Sequence, residues 1–130
     1  MHVLGCGIDL LETKKIIKYI NDNQFSFPCK EDVFTDYELE KEDSLDASLY
    51  FPLAFSCKEA TFKAFGVSWM TNNVLWTDVE LRLYDAHKCK VKLLGGLQKL
   101  SSKLGVDSIE IEYHFPYEGL LFLKLILLSK

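Results

Sequence analysis

Residues 3–9 form an apolar run that closes on Asp9, and this pattern predicts a first strand. Residues 12–22 change period. Ile16, Ile17 and Ile20 fall on one helical face, and Lys14, Lys15 and Lys18 fall mostly on the other. Residues 21–31 are polar and contain a proline, so they read as a connection. Thr35-Asp36-Tyr37-Glu38 has the spacing of a capping box, in which side chain and backbone at a helix start satisfy each other. Residues 43–47 read as a loop. A long helix is expected from there to Phe65, with Gly66 at the position where a left-handed residue ends a helix. Pro52 either starts that helix or kinks it.

The second half of the chain alternates with period two. Val79, Leu81 and Leu83 interleave with Glu80, Arg82 and Tyr84, and residues 85–88 turn into a partner strand over 89–93. Leu97, Leu100 and Leu104 have helical spacing, with Gly105 to stop them. Ile109, Ile111 and Tyr113 alternate with Glu110, Glu112 and His114, and residues 116–119 turn into a final strand. Strands joined by short turns, with helices between, predict an α+β fold with a largely antiparallel sheet. The 130 residues are expected to form a single domain, 1–130.

Charge and cysteine content narrow the classes. A net charge of −4 argues against general nucleic-acid binding, which needs a basic field. The apolar run 120–128 is too short to span a membrane and carries Lys124. No basic, apolar leader opens the chain, so a cytoplasmic protein is expected. The four cysteines have no C-x-x-C spacing. Cys6, Cys57 and Cys89 lie in apolar or periodic segments and read as buried free thiols.

Two carboxylates stand out against apolar surroundings. Asp9 ends the first strand after Gly5 and Gly7. It is either an N-cap for the helix that follows or a ligand for a hard cation. Gly5-x-Gly7 is not a dinucleotide fingerprint, because Leu occupies position 10. Glu59 precedes Lys63 by four residues, so both share a helix face. An ordinary surface ion pair is one reading of that spacing. The flanking Ala60, Phe62, Ala64 and Phe65 favour a buried helix, in which charged groups need partners or a task.

Three ordered motifs carry a resemblance. Gly7-Ile8-Asp9, Phe34-Thr35-Asp36-Tyr37-Glu38-Leu39 and Lys58-Glu59-Ala60…Lys63-Ala64-Phe65-Gly66 resemble the holo-acyl-carrier-protein synthase family, the small 4′-phosphopantetheinyl transferases. The resemblance implies transfer of the phosphopantetheine arm of coenzyme A to a serine of an apo acyl carrier protein, with release of 3′,5′-ADP. It implies Mg²⁺ held by Asp9 and Glu59, catalytic work by Glu59 and Lys63, and phosphate contacts from Lys63 and, more weakly, Lys58. It also implies that Lys14, Lys15 and Lys18 dock the acidic carrier, and that the protein forms a homotrimer.

The match departs from the family pattern at three places. Ala54 stands where the family commonly has Arg. The loop 40–46 is acidic where relatives are often basic. His114 and Phe115 stand where a Ser/Thr-His pair is common. The first two departures remove groups that help hold the 3′-phosphate of coenzyme A. A second expectation therefore stands beside the first: a carrier-binding homologue without efficient transfer.

Overall fold

The computed structural model describes residues 1–22, 28–68, 73–85 and 88–130. Strand β1 (His2–Glu12) leads into helix α1 (Thr13–Asn21), then two single-turn helices, α2 (Lys30–Val33) and α3 (Asp36–Leu39). The long helix α4 (Ala47–Phe65) follows, then a 3₁₀ turn (Trp76–Asp78) and the strands β2 (Val79–Asp85) and β3 (Lys88–Leu93). Helix α5 (Gly95–Leu104) precedes β4 (Ser108–Tyr117) and β5 (Leu120–Ser129). The strands form two antiparallel sheets, ordered β1-β5-β4 and β2-β3. The predicted α+β class and antiparallel pairing are therefore met, although the sheet is divided in two.

α4 is apolar on most of its circumference, which suits a central helix enclosed on several sides. Tyr50, Phe51, Leu53, Ala54, Cys57, Ala60 and Phe62 are all buried. Leu121, Leu123, Leu125 and Leu127 project from β5 into the same core. Pro52 lies inside α4 rather than at its start, where its missing N–H withdraws the donor that would meet the Ser48 carbonyl. Gly66, with φ of 70°, ends the helix as expected.

β1 lies unusually close to α4. A methyl group on Gly7 would sit 1.8 Å from the Ala60 carbonyl oxygen, and one on Gly5 would sit 2.1 Å from that of Ala64. Glycine at both positions is what lets the strand approach the helix backbone.

Several expectations are corrected. β1 continues past Asp9 to Glu12, because Leu120 to Leu123 of β5 pair with it over that stretch. Pro116 lies in β4 rather than in the following turn. It is tolerated because β4 is an edge strand and its pairing shifts between His114 and Tyr117. Cys6 is exposed, because the pleat that turns Gly7 and Asp9 to α4 turns Cys6 outward. All four cysteines are free; Cys57 is buried and Cys89 partly so. The turn expected at 85–88 lies partly outside the described residues. No helix among the described residues is long and apolar enough to cross a membrane.

Candidate active site

Ser56, Glu59 and Lys63 are spaced i, i+3, i+7 on α4, so they share one face. That face meets Asp9 on β1. Asp9 is 8% exposed and does not cap α1, whose N-cap residue is Glu12 without a side-chain cap bond. The Asp9 carboxylate is engaged instead by α4. Ser56 Oγ donates to Asp9 Oδ2 at 2.6 Å. Lys63 Nζ lies 3.3 Å from Asp9 Oδ1 and donates to the Ile8 carbonyl at 3.0 Å. Lys63 thus reaches across to the strand, not along the helix to Glu59 as in an ordinary surface pair.

Glu59 sits between these residues, half-buried. Burial raises its carboxyl above the ordinary value, the Asp9 charge raises it further, and Lys63 offsets part of the rise. The local balance is two carboxylates against one ammonium. Such an excess of negative charge favours a small hard cation. Among the described residues no group of three or more His, Cys, Asp or Glu side chains surrounds a metal position. Two carboxylates with the remaining ligands drawn from water or phosphate oxygen is the donor set that Mg²⁺ commonly takes, so the residues fit that ion.

Lys58 does something other than expected. Its side chain is fully enclosed and faces away from Glu59, because adjacent helix residues are turned by about 100°. Its ammonium lies 2.7 Å from Glu38 Oε1 and donates to the carbonyls of Trp76 and Val79. Burial pulls the Lys58 pKa down, and the Glu38 charge opposes that pull. Glu38 in turn accepts from the backbone N–H groups of Thr35, closing the predicted capping box, and of Leu81. Lys58 is therefore a structural cation that ties α3, α4 and β2 together. So enclosed, its ammonium does not share the seam of Asp9, Glu59 and Lys63.

The other candidates are spread over the molecule. Lys14, Lys15 and Lys18 are exposed on α1, while Ile16 and Ile20 pin the helix to the core. His114 is exposed on β4, and its ring packs on Phe122 with centroids 5.1 Å apart. Asp9, Leu123 and Tyr113 are in register on one face of the sheet, and Leu10, Phe122 and His114 on the other. Within one chain, then, His114 is kept away from Asp9. Ala54 is fully buried. A cleft of about 1030 Å³ between β3 and β4, lined by Lys88, Cys89, Lys90, Ile111, Tyr113 and Phe122 among others, is not bordered by Asp9 or Glu59.

The sequence model of the 4′-phosphopantetheinyl transferase superfamily matches residues 5–117, which contain Asp9, Glu38, Ser56, Glu59 and Lys63. The chain belongs to this superfamily. Solved structures of holo-acyl-carrier-protein synthases share its fold. The enzyme from Neisseria meningitidis is 19% identical over 98% of this chain and 100% of its own, with a TM-score of 0.80. That from Plasmodium yoelii is 20% identical over 99% and 97%, with a TM-score of 0.77. That from Helicobacter pylori, solved in complex with coenzyme A, is 16% identical over 95% and 99%, with a TM-score of 0.73. No curated protein matches the chain. The family expected from the three motifs is thus the family found. Sequence reasoning missed Ser56 as a partner of Asp9 and Glu38 as the partner of Lys58. The capping-box spacing marked Glu38, but only as a helix cap.

Proposed function

We propose that this phosphopantetheinyl transferase moves the 4′-phosphopantetheine arm of coenzyme A to a serine of an apo acyl carrier protein. The serine oxygen forms a bond to the β-phosphorus, the bridging P–O bond breaks, and 3′,5′-ADP leaves. The observation that carries this reading is the convergence of Asp9, Glu59 and Lys63 on one seam between β1 and α4. Asp9 and Glu59 would hold Mg²⁺, which when bound supplies charge stabilisation to the pyrophosphate oxygens. Lys63, half-exposed, is free to turn its ammonium to a phosphate as negative charge develops there. Glu59, or a water held by the metal, would take the serine proton.

The exposed lysines of α1 supply a basic stripe on an otherwise acidic chain, suited to steering an acidic carrier. The outer face of the larger sheet exposes Ile8 and Leu10 beside Cys6, an apolar surface that a homotrimer would cover. The reading is of a cytoplasmic enzyme.

Intact-mass measurement of an apo carrier protein incubated with the chain, coenzyme A and Mg²⁺ tests the activity. The expected result is addition of one phosphopantetheine, lost on chelation and in Asp9→Ala and Glu59→Ala. Normal transfer by both folded variants would overturn the metal assignment. Lys15→Glu should weaken use of the carrier more than binding of coenzyme A; equal effects would overturn the docking role. A second reading rests on the enclosed Lys58 and Ala54, which leave Lys63 as the remaining cation of those expected near the phosphates. Carrier binding with no added mass across several carriers would favour that reading, a homologue that docks without efficient transfer.

A further inference from the structure

Ser56 is fully buried, and its hydroxyl is used in an unusual way for a helix interior. Serine and threonine in helices commonly bond back to the carbonyl four residues earlier. Thr61, on the same helix, does so, donating to the Cys57 carbonyl at 2.6 Å. Ser56 instead reaches across to β1 and donates to Asp9 Oδ2 at 2.6 Å, 47 residues away in sequence. The two donors to Asp9 differ in kind. Lys63 is charged, its side chain is 52% exposed, and its ammonium lies 3.3 Å from Oδ1. Ser56 is neutral, enclosed and short-bonded. A neutral donor orients a carboxylate without cancelling its charge, whereas an ammonium competes with any cation for it.

We infer that Ser56 is a positioning residue for the divalent cation. By holding Oδ2, it fixes the rotamer of Asp9 and turns Oδ1 toward the charged side of the seam, where Lys63 now lies. This rests on the reading of Asp9 as a metal ligand. Partners that orient a ligating carboxylate commonly change metal affinity by roughly 10–100-fold when removed.

The test is direct Mn²⁺ binding, read by electron paramagnetic resonance of the free ion, with and without coenzyme A. Ser56→Ala is expected to bind Mn²⁺ roughly 10–100-fold more weakly. Ser56→Thr, which keeps the hydroxyl, should return affinity to within a few-fold of the parent. The Mg²⁺ concentration for half-maximal transfer should rise in Ser56→Ala by the same factor, with the rate at saturating Mg²⁺ retained. A purely structural Ser56 would lower the melting temperature and leave the Mn²⁺ affinity of the folded protein unchanged, and that result would overturn the inference. Should Ser56→Ala fail to fold, Ser56→Cys keeps the volume but donates weakly. Parental Mn²⁺ affinity in that variant would overturn the inference equally. Equal Mn²⁺ binding by the parent and Asp9→Ala would be a separate outcome, removing the metal assignment and this inference with it.

Discussion

Glu59 carries a charge that its surroundings disfavour. Its folded form holds the proton more tightly than the unfolded chain does, so stability falls as pH rises from the ordinary value of 4.5 through the higher folded value. Glu59→Gln is therefore expected to melt at a higher temperature than the parent at neutral pH without divalent ions, while losing transfer. A lower melting temperature would show that Glu59 serves the fold. Lys58 poses the opposite case. Lys58→Met leaves Glu38 enclosed without its counter-charge and should cost about 3–5 kcal/mol in chemical denaturation. Adding Glu38→Gln should recover part of that loss, since the two effects share one interaction. Motif spacing marked Asp9, Glu59 and Lys63, which the fold brings to one seam. Lys58, marked by the same motif, is enclosed elsewhere because neighbours in sequence point to different sides of a helix. Ser56 was invisible, since its role depends on a strand that sequence alone does not bring near.

Hydrophobic period revealed α1, α5 and the alternating strands, because each buries one face, while α4 was marked by a long apolar stretch closed by Gly66. Boundaries were less legible where a partner sets them. β1 reaches Glu12 because β5 pairs that far, and Pro116 joins β4 because the edge leaves its missing N–H unneeded. The contact of β1 with α4 is the element pair on which the site depends. Gly7→Ala would force the strand off the Ala60 carbonyl, at a cost of roughly 1–3 kcal/mol, as for overpacked cores. It should also part Asp9 from Ser56 and Lys63. Mn²⁺ affinity and melting temperature should therefore fall together in Gly7→Ala; unchanged affinity would show that the seam tolerates separation.

The order of elements predicted the class of the whole molecule, but not the division into two sheets, which is settled by pairings between distant segments. At this scale the outer face of β1 is the testable surface. Ile8 and Leu10 are 48% and 61% exposed. Ile8→Lys together with Leu10→Glu should convert the proposed trimer to monomer in light scattering, with helix content unchanged. A parent that is already monomeric would remove the trimer from the reading. The pairing of β1 with β5 bears also on how the protein is made. β1 is an edge strand whose sheet partner is β5, and the Thr13 hydroxyl bonds the Gly119 carbonyl across a separation of 106 residues. A ribosome delivers Asp9 well before β5, and its strand has no sheet partner until β5 emerges. The nascent chain must keep an apolar strand without its sheet partner until β5 is made, and β1 settles between α4 and β5 only then.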